Sequence, residues 1–320
     1  MAVASTLTVS QSLSGLHLKE NFAALLETNL DLVRRRVWNR DLMGLKFFKP
    51  ETTNKDHVIN QDVYGMGLVP RNRDSENLPL DQMGRGFQNT IYMVTYRLAV
   101  QFERETMDDD QYGQIGPKQV KFLDSLNKTI EYTLADCFNN GFGTAGSAPF
   151  ICNDGLYLFD SARNNPHPGV AQWSNLETAA DLTEASLWTM EQNFAANKDE
   201  RGHNAPLNMG RLVIPKALEK QAYEFARSAK APEDAMNRAN YFQGLQYDVW
   251  NYLTDTDAWF GFAGDSYHSE DNEMCFYWRD KPGVVTYDVG NPDIVAQRQR
   301  SRWAFGAGRP SVWRGNTGAG

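Results

Sequence analysis

The chain has 320 residues, 41% of them hydrophobic and 22% charged, with a formal net charge of −8. That is ordinary globular usage, which excludes wholesale disorder, and the length favours two or three structural units. Apolar runs stay well below the ~18 residues that a bilayer span needs. No basic residue precedes Lys19 and no compact apolar run opens the chain, so a secretory signal is also excluded.

Residues 21–43 place Phe22, Leu25, Leu26, Leu30, Val33 and Val37 at helical spacing, with Glu27, Asp31, Arg34 and Arg35 on the other face. This predicts an amphipathic helix behind a Ser/Thr-rich tail. Residues 46–110 look least compact, punctuated by Gly65, Gly67, Pro70, Pro79, Gly84 and Gly86. Alternation in 89–103 predicts one strand of a long ribbon with an irregular tip. Strands of roughly 15–20 residues would reach roughly 50–65 Å. A ribbon of that kind is marginal in water and leaves strand edges open, so another copy of the chain is the simplest cover.

Residues 117–140 carry the strongest helical pattern, with Val120, Leu123, Leu126, Ile130, Leu134 and Cys137 in one stripe. Pro117 suits the first turn, and Asn139, Asn140 and Gly141 end the helix. Residues 151–282 read as a mixed α/β unit. Its predicted helices cover 183–196, with Thr183 as cap, and 215–228, and its strands cover 211–214, 259–262 and 274–278. The remaining stretch to residue 320 is strand-rich and must pair back onto earlier segments. The fold class is therefore α+β.

Charge is uneven along the chain: residues 151–282 carry 11 basic and 20 acidic groups, whereas 283–320 carry 5 and 2. An acidic unit of this kind repels phosphate, which argues against a dedicated nucleic-acid-binding domain there. Arg298, Arg300 and Arg302 alternate, as on one face of a strand, and such a face suits phosphate or an acidic neighbouring subunit. Cys137, Cys152 and Cys275 lie too far apart for a C-x-x-C site and fit a reducing compartment, with Cys137 as a small core residue.

Chemistry-bearing motifs are weak. Gly141 to Gly146 spell G-x-G-x-x-G, but a helix precedes them where a dinucleotide site needs a strand. Ser266 and His268 stand two residues apart, too close for a hydrolytic pair, and no G-x-S-x-G elbow exists. Asp108-Asp109-Asp110 and Asp255-x-Asp257 lack the spacing of a calcium loop. The five histidines are dispersed. No catalytic, cofactor-binding or metal-ligating residue is assigned, and no cofactor is expected.

The order of short motifs resembles the tailed-bacteriophage major capsid proteins, most closely the Mu-like major head subunit group, over nearly the whole chain. The motifs are Tyr92-x-Val94-x-Tyr96, Asp109-Asp110-x-Tyr112-Gly113, Asp154-Gly155-x-x-Leu158-Phe159, His167, Pro206 and Leu212-Val213-Ile214-Pro215. They continue with Leu253-Thr254-Asp255, Ala258-Trp259-Phe260, Tyr277-Trp278-Arg279-x-Lys281-Pro282 and Trp313-Arg314-Gly315. The resemblance implies a non-enzymatic shell subunit with an N-terminal arm (1–46), an extended β-ribbon loop (47–108), a peripheral domain with a long spine helix (109–150 and 283–320) and an α/β axial domain (151–282).

The same resemblance implies self-assembly as hexamers and pentamers into an icosahedral head around double-stranded DNA, located in the virion and assembled in the bacterial host cytoplasm. Implied partners are a portal protein, a separate scaffolding protein (the chain begins without a long charged scaffolding segment), an optional decoration protein, and packaged DNA through weak nonspecific contact; no membrane is involved. Inter-subunit contact candidates are Phe22, Leu26, Arg34 and Arg35 on the arm, Val63, Tyr64, Arg71, Arg73, Arg85 and Phe87 on the loop, and Tyr241 and Phe242 in the axial loop. Some family members crosslink a loop lysine to a neighbour's asparagine, but Lys46, Lys49 and Lys55 lie away from the loop tip. Alternative readings are a carbohydrate-active hydrolase using Asp255 and Asp257, or a tail or decoration component.

Overall fold

The computed structural model describes residues 37–38, 40–72, 77–103, 105, 115–143, 151–230, 238–291 and 293–318. Most of the predicted arm helix (21–36 and 39), the Asp108–Asp110 cluster and the second half of the Gly141–Gly146 motif lie outside these residues.

The long apolar stripe forms helix α2, Ile115–Asn139, preceded by a short helix α1, Met43–Phe47. Leu123, Leu126, Ile130, Leu134 and Cys137 are all buried along α2, as their spacing requires. The end falls where the Asn-Asn-Gly sequence predicts, with Gly141 N–H donating back to the Phe138 carbonyl at 3.1 Å. Helix α3, Glu184–Ala195, starts at Thr183 in a reciprocal cap: Thr183 Oγ1 accepts from Ser186 N–H while Ser186 Oγ accepts from Thr183 N–H. A 3₁₀ turn, Lys216–Leu218, leads into α4, Glu219–Arg227, directly after Pro215.

The strands are β1 (Lys49–Thr52), β2 (His57–Tyr64), β3 (Gly84–Tyr92), β4 (Val94–Glu103), β5 (Met209–Ile214), β6 (Gln246–Val249), β7 (Trp259–Ala263), β8 (Met274–Asp288), β9 (Ile294–Ala307) and β10 (Trp313–Asn316). They make a four-stranded sheet ordered β1-β8-β9-β4, a second ordered β10-β7-β5-β6, and the two-stranded ribbon β2-β3. In the second sheet β5 and β6 run parallel, while β7 is antiparallel to both β5 and β10. The C-terminal stretch thus pairs back onto earlier strands as expected.

Two sequence expectations are corrected. The ribbon is half the predicted length: its paired strands hold eight and nine residues, about 26–30 Å. The alternation of 89–103 spans two strands, because β4 joins β9 instead of extending the ribbon. Alternation alone does not distinguish one long strand from two that change partners at Met93. Likewise, the predicted strand 274–278 and the following valine-rich segment are one continuous strand, β8.

The chain packs as two units. One contains Tyr96–Leu126 and Pro282–Arg300 with the described part of Met1–Arg40; the other contains Asp41–Thr95, Asn127–Lys281 and Ser301–Gly320. In the first, Val37, Phe122 and Leu123 form a core with Val100, Val120 and Val284 against it. Gln299 Nε2 reaches into the helix there, donating to the Phe122 carbonyl (2.9 Å) and Ser125 Oγ (2.8 Å). Along β9 the predicted alternation is visible, with Arg298 and Arg300 exposed between buried Gln297, Gln299 and Ser301.

The second unit is built on aromatics. Phe47, Phe138, Trp250, Phe260 and Trp313 are fully buried, and Phe138 meets each of the other four rings at 5.2–5.9 Å between centroids. One buried carboxylate serves this core: Glu131 Oε2 accepts from Gly44 N–H (3.0 Å) and from Trp250 Nε1 (2.9 Å). A Cβ on Gly261 would lie 2.4 Å from Met190 Sδ, so β7 packs against α3 only because this position lacks one.

Candidate assembly interface

A long irregular stretch, residues 151–183, closes the second unit and depends on arginine. Arg163 is fully buried. Its Nη1 donates to Asp154 Oδ2 (2.7 Å), its Nε to Asn175 Oδ1 (2.8 Å), and its Nη2 to the carbonyls of Leu158 (2.8 Å) and Tyr157. Arg314, on β10, plays a similar part: Nη1 donates to Glu177 Oε1 (2.9 Å) and Nη2 to the Asn193 carbonyl (2.8 Å). Burial lowers the pKa of Arg314, and Glu177 opposes that shift. Planar guanidinium forks suit this task because one side chain satisfies several carbonyls of backbone outside any ladder. Arg309 is buried as well, with Nη1 donating to Glu200 Oε1 (2.6 Å) and Nη2 to the Lys198 carbonyl (3.1 Å), so of the C-terminal arginines Arg309 and Arg314 are internal ties, whereas Arg298 and Arg300 face outward.

The ribbon is fastened to this stretch. The register shifts between Gln61 and Val63 so that Asp62 alone stands opposite Gly86 and Phe87, a bulge in β3, and Asp62 Oδ1 accepts from Asn153 Nδ2 at 2.5 Å. Burial raises the Asp62 pKa, with the Asn153 bond opposing. Tyr64 stands edge-on to His167 at 5.1 Å. Its ring lies across Gly84, where a Cβ would come within 1.9 Å, so the strand partner of Tyr64 has to be glycine.

Beyond Gly65 the loop carries an apolar set that no described residue covers: Leu68 is 75% exposed, Val69 95%, Leu78 80% and Leu80 94%. Ile59, Val63, Met66 and Met83 are also exposed. Scattered exposed apolar residues are normal, but this many on one loop make it a candidate contact surface.

The predicted contact residues divide. Val63, Arg71 and Arg85 are exposed, while Tyr64 and Phe87 are half-buried against their own chain. Tyr241 is exposed and meets Trp188 edge-on at 5.0 Å. Phe242 is corrected to a core residue: it is buried, with its N–H donating to Asn240 Oδ1 at 3.0 Å. Phe22, Leu26, Arg34, Arg35 and Arg73 lie outside the described residues. The sequence reading gives this loop to contact with neighbours but does not single out Leu68, Val69, Leu78 and Leu80, which sit among Pro, Asn and Asp with no periodicity to signal them.

The motifs weighed as chemistry resolve into turns. Asp255 Oδ1 accepts from the N–H groups of Asp257 (3.0 Å) and Ala258 (3.4 Å), a local Asx turn. Ser266 Oγ accepts from His268 N–H at 3.3 Å, which is backbone turn geometry. A recess of about 590 Å³ is walled in part by Trp173, Asn193, Glu177 and Arg314, and its one carboxylate is tied to Arg314 and to Asn193 Nδ2 at 2.5 Å. Among the described residues no helix is long and apolar enough to cross a membrane, and no group of His, Cys, Asp or Glu is arranged to hold a metal.

Comparison with known proteins agrees with this geometry. Solved structures of similar fold include one from Microbacterium phage Oxtober96 (14% identity, 88% of this chain and 92% of that chain, TM-score 0.53). The capsid of cyanophage P-SCSP1u matches at 10% identity over 88% of this chain and 89% of that one, TM-score 0.59. The capsid of a native GTA particle matches at 12% identity over 88% and 91%, TM-score 0.52. At such identities the likeness is one of fold. No curated protein matches the sequence. A family model described as phage capsid protein matches residues 88–315, well over half the chain, and the chain therefore belongs to the phage capsid protein family.

Proposed function

We propose that this subunit builds icosahedral heads around double-stranded DNA by associating with itself as hexamers and pentamers, and that within the family it sits with the Mu-like major head group. In this reading residues 1–46 form an arm and 47–108 a loop that both cross to neighbours. Residues 151–282 form the part around the capsomer axis, with contacts from loops 229–250 and 263–273. Residues 109–150 and 283–320 form the periphery.

The observation that carries this reading is the apolar loop tip of Leu68, Val69, Leu78 and Leu80, held on a fastened ribbon and left open to water. Covering four such side chains is worth roughly 1.5–3 kcal/mol each before the costs of association. Repeated around a closed ring, contacts of modest individual strength give a stable shell. The outward Arg298 and Arg300 supply weak, salt-sensitive contact to packaged phosphate, while the acidic 151–282 segment keeps DNA from sticking. A portal protein, a separate scaffolding protein and a decoration protein complete the particle, which is assembled in the host cytoplasm.

The test is negative-stain imaging and sedimentation of the purified protein. Closed icosahedral shells or ring capsomers are expected. A solution that remains monomeric at tens of micromolar, or that forms only tubes, contradicts the reading.

A further inference from the structure

The loop bearing the apolar tip leaves the ribbon at Gly65 and returns at Met83, and one side chain joins the two ends. Arg201, from the turn after α3, is mostly buried in side-chain terms (15% exposed). Its Nε donates to the Gly65 carbonyl (2.7 Å), and its Nη2 donates to Asp81 Oδ1 (2.9 Å) and to the Gln82 carbonyl (3.0 Å). The guanidinium also lies over the Tyr64 ring at 5.8 Å. Asp81 closes the neck from the other side, with Oδ2 accepting from Gly67 N–H (2.7 Å) and Oδ1 from Gln82 N–H (2.8 Å). Arg201 is held in turn by Asp199, whose Oδ1 accepts from the N–H groups of Arg201 (2.9 Å) and His203 (2.8 Å).

We propose that Arg201 is a positioning residue for assembly: it pins the neck of the loop in the free subunit, so that the apolar tip is presented to a second copy in a preset pose. Three features support this. The contacts bridge both ends of the loop, so a single group closes it. The neck includes Gly65 and Gly67, which without the clasp would leave the chain free to swing. The clasp covers none of Leu68, Val69, Leu78 or Leu80, so it presents the tip instead of hiding it. Fixing a binding segment beforehand removes ordering cost from the docking step, which lowers the concentration at which docking occurs. A lysine cannot substitute, because a point charge does not span two carbonyls and a carboxylate as a planar fork does.

The docking part of this proposal rests on the shell reading, and the test separates the two. Dissociated wild-type, Arg201→Ala, Arg201→Lys and Asp81→Asn subunits are compared by limited proteolysis and by the concentration at which particles appear; far-ultraviolet circular dichroism checks that each folds. Asp81→Asn, at a side chain 43% exposed, retains the fold if Arg201→Ala does not. Cleavage within 65–83 is expected to accelerate about tenfold or more in the Arg201 variants, the scale of a lost charge-assisted contact, and less in Asp81→Asn. The assembly threshold is expected to rise by a similar factor. Equal cleavage rates in folded variants overturn the clasp. Faster cleavage with an unchanged threshold overturns its docking role. A wild type that never assembles overturns the shell reading and the docking role together, while the cleavage comparison still decides the clasp.

Discussion

Residues 151–183 and the loop between β2 and β3 are both irregular backbone, yet they meet water in opposite ways. The first folds around the fully buried Arg163, whose guanidinium ties Asp154 and Asn175 to the backbone carbonyls of Tyr157 and Leu158. The second is tied to the rest of its unit at its neck and holds Leu68, Val69, Leu78 and Leu80 in solvent. Backbone without regular pairing needs a partner for its polar groups, and apolar side chains need a cover. One stretch finds its partners inside its own chain; the other, in the function proposed above, is covered by another copy.

The largest expected effect lies on the internal side of that contrast. Replacing Arg163 by methionine takes the ion-pair partner from the buried Asp154 side chain and removes the guanidinium donors of Asn175 Oδ1 and the Tyr157 carbonyl, while the Leu158 carbonyl keeps its bond from Asn175 Nδ2 (2.7 Å); this should cost about 3–5 kcal/mol in urea unfolding of the dissociated subunit. Leu80→Asp should change that stability by less than about 0.5 kcal/mol while abolishing particles. If Leu80→Asp instead unfolds the subunit, the loop belongs to the subunit's own core and the contrast fails.

A smaller effect sharpens the internal side. Burial pushes the Cys152 thiol up to about 11 and that of Cys275 likewise, and raises that of Cys137 well above its ordinary range. All three cysteines are buried, so none should react with a maleimide in the native subunit and all three should react in guanidinium chloride. Because Cys152 Sγ lies 3.8 Å from Arg163 Nη2, Arg163→Met should speed labelling of Cys152 before that of Cys137.

The smallest effect concerns the neck. The N–H groups of Gly67 and Gln82, and then Arg201, hold the Asp81 carboxyl below its usual range. A carboxyl with a depressed folded pKa stabilises its contacts above the ordinary value of about 4 and loses them as pH falls through the folded value. Protection of the neck amides against hydrogen exchange should therefore be constant from pH 7 to 5 and decline below about 4. Asp81→Asn should remove that dependence.

Much of the fold is legible in the sequence because its signals are local. Helix α2 follows from one apolar stripe, α3 from the Thr183 cap, and the outward arginines of β9 from strict alternation. What escapes is long-range. Nothing near Arg163 or Arg201 distinguishes a buried, many-partnered arginine from a solvated one: the partners of Arg163, 5–12 residues away, lie in aperiodic backbone, and those of Arg201 come from 119–136 residues away. The partner change between β3 and β4 is equally silent, because alternation continues through Met93. Phe242 reads as a surface aromatic beside Tyr241, and only the bond from its N–H to Asn240 and its burial place it inside.

The most direct test compares hydrogen exchange at 65–72 and 77–83 in dissociated subunits and in assembled particles. The account predicts fast exchange of the tip amides in subunits and at least tenfold slowing in particles, with the amides of 151–183 slow in both. Tip amides that exchange at one rate in both states would contradict it.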